Sequence, residues 1–293
     1  MTETAEAEAG GAFMVSSGGV DLSGEEAGQG TGVVLLHGLT ATRRYVVLGS
    51  RALERSGLRV IAYDARGHGE SGRPDAPSAY EYADLAGDLE AVLDARELDR
   101  AVLVGGSMGA HTAAAFALEH PERVAALVAV TPAYSGGPPG PEDLADWDRL
   151  AAGLRADGVD GFLDAYNPDV PEAYRETVTT FTRQRLERHR DLEAVADALA
   201  VVPRSIAFDG LGALSALERP ALVVGSRDAA DPGHPLTVAE AWAKALPHAE
   251  LRVEDEGASP LAWQGAQLSR EIVAFLERAG LLEAPRASPQ AQR

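Results

Sequence analysis

The stretch AVLVGGSMGAHTAAAFALEH, residues 101–120, decides the fold of this chain. A valine-rich apolar run, typical of a buried strand, leads into GGSMG at 105–109, and an alanine-rich run typical of a helix follows. In that context a G-x-S-x-G sequence predicts a sharp strand-to-helix turn that presents its serine at the edge of a sheet. Gly105 and Gly109 lack a Cβ atom, so strand and helix can close on the turn. Ser107 is therefore the candidate nucleophile.

Strand-like and helix-like segments alternate on both sides of this turn. Such alternation produces right-handed parallel crossovers, so it predicts an α/β fold with a mostly parallel, doubly wound sheet. Residues 13–24 predict a short antiparallel hairpin at one edge. The predicted strands cover 32–37, 58–64, 100–106, 124–131, 220–226 and 249–254, and the predicted helices outside the elbow cover 43–56, 80–96, 235–246 and 261–279.

One long segment, residues 136–212, interrupts the alternation. It opens with SGGPPGP and carries helical patterns over 142–157, 172–188 and 191–200, without a convincing strand. A helical insertion between two strands lies over their carboxyl ends, where ligands bind in open α/β sheets, so we interpret it as a lid. The predicted organisation is a core of residues 11–135 and 213–283, a lid of 136–212, and disordered ends at 1–10 and 284–293.

The composition narrows the class of function. The chain has 293 residues, a net charge of −19, 45% hydrophobic residues and no cysteine. This charge disfavours nucleic acid and anionic membranes as partners, and the lack of cysteine excludes a thiolate metal site. No apolar stretch approaches a membrane span, and MTETAEAEAGG lacks the apolar centre of a secretory signal. We predict a cytoplasmic protein with a small-molecule substrate and neither metal nor cofactor; the sequence indicates no particular oligomeric state.

A second motif, His37-Gly38-Leu39-Thr40, follows the first strong strand directly. A strand ending in His-Gly brings its loop backbone close to the elbow. The amides of Leu39 and Met108 could then stabilise a developing oxyanion together. The alternative is an ordinary strand-end turn with a structural histidine.

The ordered motifs HGLT, DARGHGES, GGSMGA, HPERV and VVGSRD resemble those of the α/β-hydrolase-fold family, over about residues 31 to 279. The resemblance implies an eight-stranded, mostly parallel sheet with a helical lid after the sixth strand. It also implies that Ser107 is the nucleophile, that the Leu39 and Met108 amides form the oxyanion hole, and that Asp228 is the catalytic acid. Asp231 is a second carboxylate nearby, for which we predict a surface or capping role.

The chain departs from the family pattern at the general base. Family members usually carry a histidine after the last strand, where this chain reads Glu-Gly-Ala-Ser-Pro with Ala258 at that position. A serine hydroxyl is a weak nucleophile without a base. The first candidate to replace the base is His234, just after the acid loop; the alternative is that His234 is a surface residue at the start of a helix. The apolar pocket is predicted to involve His37 and Thr40 with the lid residues Tyr166, Tyr174 and Phe181.

Three functions fit these residues. The leading hypothesis is a cofactor-independent hydrolase of a carboxylic ester, lactone or thioester. Because Ala258 replaces the expected histidine, a catalytically silent member that binds a small molecule under its lid is an alternative. The third is an epimerase, cyclase or lyase that uses the same pocket to stabilise an enolate, since a fold does not decide its chemistry.

Overall fold

The protein is described here from a computed structural model, which covers residues 11–166, 168–256, 263 and 265–282. Ala258 and the predicted disordered ends, 1–10 and 284–293, lie outside the described residues.

The core is an eight-stranded sheet with the strand order β1-β2-β4-β3-β5-β6-β7-β8. The predicted hairpin is confirmed, because β1 and β2 pair antiparallel; β2 also pairs antiparallel with β4, and all later pairings are parallel. The mostly parallel sheet expected from the alternating segments is thus confirmed. The strands are β1 (Ala12–Ser17), β2 (Val20–Ala27), β3 (Thr31–Leu36), β4 (Leu58–Tyr63), β5 (Ala101–Gly106), β6 (Val124–Val130), β7 (Ala221–Gly225) and β8 (Ala249–Val253).

Helices cover both faces of the sheet, which explains why its central strands read as continuous apolar runs. One face packs against α2, α3 and α7, and the other against α1 and α8. The helices are α1 (Ala52–Arg55), α2 (Tyr82–Ala95), α3 (Met108–Glu119), α4 (Pro141–Ala165), α5 (Glu172–Leu186), α6 (Leu192–Val201), α7 (Leu236–Ala245) and α8 (Gly265–Arg278). No helix in the described part of the chain is both long and apolar enough to cross a membrane.

The helix predicted over residues 43–56 is wrong in its extent. The chain forms one 3₁₀ turn at Arg43–Tyr45 and then only the short α1. Leu48 and Gly49, between them, have φ angles of 46° and 72°. Left-handed backbone cannot continue a right-handed helix, so the segment divides there.

Helices α4, α5 and α6 lie between β6 and β7, within the segment 136–212 that we call the lid. Helix α4 bends at Asp157 and Gly158, where Gly158 has a φ angle of 56°. The three helices enclose a small apolar cluster of their own, which includes Leu154, Phe162 and Leu199. The lid therefore has an independent core while its inner face contacts the loops at the carboxyl edge of the sheet.

Candidate active site

Ser107 occupies the sharp turn between β5 and α3. Its backbone has φ 49° and ψ −115°, a conformation that costs a non-glycine residue roughly 1–3 kcal/mol. The flanking glycines explain how the turn closes: a Cβ atom on Gly105 would lie 2.2 Å from the Gly109 oxygen, and one on Gly109 would lie 2.2 Å from the Leu36 oxygen. The sequence thus folds this serine into a strained position that close backbone packing maintains.

His234 lies against the Ser107 hydroxyl. Its Nε2 atom is 2.9 Å from Ser107 Oγ, and its Nδ1 atom is 2.8 Å from Asp231 Oδ1. A carboxylate only accepts hydrogen bonds, so His234 donates its Nδ1 proton to Asp231 and accepts at Nε2 from the serine. This arrangement of hydroxyl, imidazole and carboxylate is that of a Ser-His-Asp triad.

Asp231 and His234 belong to one turn of the loop after β7, in which the His234 amide donates to the Asp231 carbonyl. Burial raises the pKa of Asp231, but the charge and hydrogen bond of His234, with the charge of Arg185, outweigh it and leave the pKa below its usual value. The carboxylate is therefore ionised at neutral pH, as a group that stabilises an imidazolium must be.

Asp228 was predicted to orient the base, but the carboxylate on His234 Nδ1 is that of Asp231. Asp228 Oδ1 instead accepts from the Ala230 amide at 2.9 Å, which caps the turn that carries Asp231. The capping role expected of Asp231 is therefore found at Asp228. The physical reason is sequence distance: a base three residues after Asp231 is reached by that carboxylate within a single turn.

The candidate oxyanion donors lie beside the serine. A Cβ atom on Gly38 would be 3.4 Å from Ser107 Cβ, so the loop after β3 touches the elbow. Met108 is the first residue of α3, where a helix offers its amide no intrahelical acceptor. Among the described residues, the Leu39 amide also forms no hydrogen bond. Both amides are thus available, next to the positive end of the α3 dipole.

His37 and Thr40, predicted to line the substrate pocket, are both buried, and the loop after β3 is held through the His37 ring and the Thr40 carbonyl. His37 donates from Nδ1 to the Gly38 carbonyl at 2.8 Å and accepts at Nε2 from the Ala65 amide at 2.9 Å. His189 of the lid donates to the Thr40 carbonyl at 2.9 Å and accepts from the Gly69 amide at 2.8 Å. The rings of His37 and His189 therefore hold the loop after β3 in place.

Two further side chains are fixed by buried contacts. Arg66 forms two 2.7 Å hydrogen bonds with the buried Asp88. His111 has both ring nitrogens engaged, with the Tyr82 hydroxyl at 2.8 Å and with backbone amides after β6. Burial lowers the pKa of His111 to about 3, with a smaller effect from His234, so it is a neutral support and not a base.

The predicted lid residues are distributed along α4 and α5. The Phe181 ring packs edge-on against Tyr45 of the core, with centroids 5.5 Å apart. Tyr166 directly follows α4, and its hydroxyl lies in the electrostatic field of both Arg185 and Asp231. Tyr174 is partly buried two turns before Phe181 on α5. Tyr166 therefore interacts electrostatically with Asp231, and Phe181 packs against the 3₁₀ turn that contains Tyr45.

Sequence reasoning missed Arg185, which interacts electrostatically with Asp231, Tyr166 and Tyr45. It lies in the run RQRLERHR, where charged residues are typical of a solvated helix face. The signal that could have found it is the four-residue spacing of Phe181 and Arg185, which places both on one side of the helix.

Comparisons with known proteins agree with this fold. The sequence model of the alpha/beta hydrolase fold family matches residues 32–265. The 2-hydroxy-6-oxononadienedioate/2-hydroxy-6-oxononatrienedioate hydrolase of Paraburkholderia phymatum is 32% identical over 232 residues, which are 76% of this chain and 77% of that protein. A malate-bound thermophilic esterase from Thermogutta terrifontis superposes with a TM-score of 0.73 at 26% identity, covering 92% and 99% of the two chains. An N-acyl homoserine lactone degrading enzyme gives 0.68 at 25% identity, with 91% and 99% covered.

Proposed function

The chain belongs to the alpha/beta-hydrolase-fold family and is a hydrolase, and from that premise we propose that it hydrolyses a carboxylic ester, lactone or thioester through Ser107. The observation that carries the proposal is the 2.9 Å contact between Ser107 Oγ and His234 Nε2, with Asp231 on the opposite ring nitrogen. It supplies the base that Ala258 does not.

The proposed reaction has two steps. His234 accepts the hydroxyl proton as Ser107 Oγ attacks the acyl carbon, and the amides of Leu39 and Met108 stabilise the oxyanion that forms. The imidazolium then protonates the leaving alkoxide or thiolate, which departs and leaves an acyl-serine. In the second step His234 takes a proton from water, the hydroxide attacks the acyl carbon, and the proton returns to Ser107 as the acid leaves.

The substrate class is supported by what the similar proteins do. The compared structures include an esterase, an activity that breaks an acyl–oxygen bond, and an enzyme that degrades N-acyl homoserine lactone. The relative from Paraburkholderia phymatum is named for the hydrolysis of an oxo diacid. Nucleophilic attack at a carbonyl carbon is the step for which a serine, a base and two amide donors are suited.

The direct test is labelling by a fluorophosphonate, which reacts with an activated serine. We expect the wild-type protein to be labelled on Ser107, and the Ser107→Ala and His234→Ala variants to remain unlabelled, with all three folded as judged by circular dichroism. Binding of ligands without labelling or turnover would favour the silent alternative. Hydrolysis in ¹⁸O-water must place one labelled oxygen in the acid product; a product without it would favour the epimerase, cyclase or lyase alternative.

A further inference from the structure

Arg185 lies on α5 with its side chain turned toward the core, and it has no ion-pair partner among the described residues. The residue is partly buried, and its Nε atom is fully buried without a hydrogen-bond partner. An unpaired cation out of water is costly, so such a group is normally paired in the folded protein. Asp231 acts on Arg185 only through a longer-range charge interaction, so among the described residues the guanidinium lacks a hydrogen-bonded anion.

Two neighbours in the sequence indicate where Arg185 points. One turn before it on α5, Phe181 packs against Tyr45, and just beyond the end of α5, His189 donates to the Thr40 carbonyl. Arg185 therefore faces the segment 37–45, which carries the oxyanion loop. Its charge also contributes to the lowered pKa of Asp231, which is consistent with this direction.

Several other arginines of this acidic chain have ion-pair partners, unlike Arg185. Arg66, which is buried, pairs with Asp88, and Arg155 on α4 pairs with Glu193 and Asp197. On α5 itself, Arg183 pairs with Asp160 and Arg175 with Glu172. With 45 carboxylates in the sequence, an unpaired arginine beside the triad is not explained by a shortage of partners.

We propose that Arg185 binds a carboxylate of the substrate, so that the enzyme acts on acyl compounds that carry a carboxylate besides the scissile bond. The inference rests on the proposed serine hydrolase function and names its substrate class. The planar guanidinium can donate two parallel hydrogen bonds to a carboxylate. The guanidinium carries one positive charge and Asp231 is already ionised, so a monoanionic carboxylate is repelled less here than a phosphate dianion.

The test compares two activated esters with five-carbon acyl chains: mono-p-nitrophenyl glutarate, which ends in a carboxylate, and p-nitrophenyl valerate, which ends in a methyl group. We expect Arg185→Gln to lower kcat/KM for the glutarate ester by about 10- to 100-fold, the size of a lost charge-assisted hydrogen bond. The valerate ester changes by less than about threefold. The matched control is Arg183→Gln on the same helix, which leaves the ratio of the two kcat/KM values unchanged.

An equal loss for both esters would overturn the inference, because it would mean that Arg185 acts on Asp231 and not on the substrate. If Arg185→Gln does not fold, Arg185→Lys and the salt dependence of the wild type decide: added NaCl must lower kcat/KM for the glutarate ester selectively, because it screens the ion pair. No selective effect of salt contradicts the proposal.

A binding measurement separates this inference from the hydrolase proposal. We expect glutarate to bind the Ser107→Ala protein in calorimetry, and to bind the Ser107→Ala/Arg185→Gln protein at least tenfold more weakly. Equal binding, or no binding to either, refutes the role of Arg185 even if Ser107 is labelled. Selective binding with an unlabelled Ser107 would instead refute the hydrolase and retain the carboxylate site.

Discussion

Removing His234 is the perturbation with the largest expected effect. Its Nε2 atom is the group in contact with Ser107 Oγ, at 2.9 Å, and the other described histidine rings have different roles: His111 is held by Tyr82 and two backbone amides, and His37 and His189 are bonded to the loops. Without the imidazole, the serine proton has no acceptor of comparable strength.

For His234→Ala we expect kcat to fall by a factor on the order of 10⁴ to 10⁶, since triad members act as a unit. For Asp231→Asn we expect about 10⁴, because the amide favours the wrong imidazole tautomer. For Asp228→Asn, which alters a turn cap, we expect a much smaller decrease in kcat. The assay is p-nitrophenyl ester hydrolysis with background subtraction, and the control is His248→Ala, whose exposed ring faces Glu218 at 3.2 Å.

A complementary variant restores the family's histidine. Because His234 already contacts the hydroxyl, Ala258→His by itself is expected to raise kcat by less than tenfold. The reasoning is refuted if His234→Ala keeps more than a tenth of the wild-type kcat, or if Ala258→His raises the activity by several orders of magnitude.

Three further predictions follow from other contacts. Burial lowers the pKa of His37, His111 and His189 to about 3, against 6.5 when exposed, so acid pH favours the unfolded chain. Urea titration should therefore find that each of these histidines lowers the free energy of unfolding by about 2 kcal/mol between pH 7 and pH 5. A free energy of unfolding that does not change over this pH range would contradict the prediction. Gly109→Ala places a Cβ atom against the Leu36 carbonyl and should destabilise the protein by about 3 kcal/mol or more, lowering Tm; an unchanged Tm would be inconsistent with the elbow geometry. His189→Ala removes two bonds between lid and core, so we expect a loss of about 1–3 kcal/mol in urea and a higher KM, whereas an effect on kcat alone would argue against a positioning role.

The fold could be predicted because its signals are local. Apolar runs mark the central strands. Gly105 and Gly109, on either side of Ser107, indicate a close strand–helix junction, because a Cβ atom at either position would clash with the backbone. The order of the motifs along the chain also indicates the family. Where a local signal was weak, the prediction failed: the segment 43–56 reads as helical until the left-handed backbone at Leu48 and Gly49 divides it.

The candidate site was harder to predict because it depends on the shape of loops. Periodicity does not reveal that residues 228–234 form turns, so it could not distinguish Asp228 from Asp231. His37 was expected near substrate because it follows a strand, but its ring turns inward to its own backbone and to the Ala65 amide. Arg185 required the packing of α5, since only a tertiary contact distinguishes it from the paired arginines beside it.

The placement of Asp231 and His234 three residues apart has a consequence for protein design. When acid and base come from separate loops, their alignment depends on how two remote segments dock. In the proposed mechanism one short peptide carries both, so the stretch after β8 supplies no member of the triad. This peptide is therefore a unit that can be grafted after the seventh strand of a related scaffold.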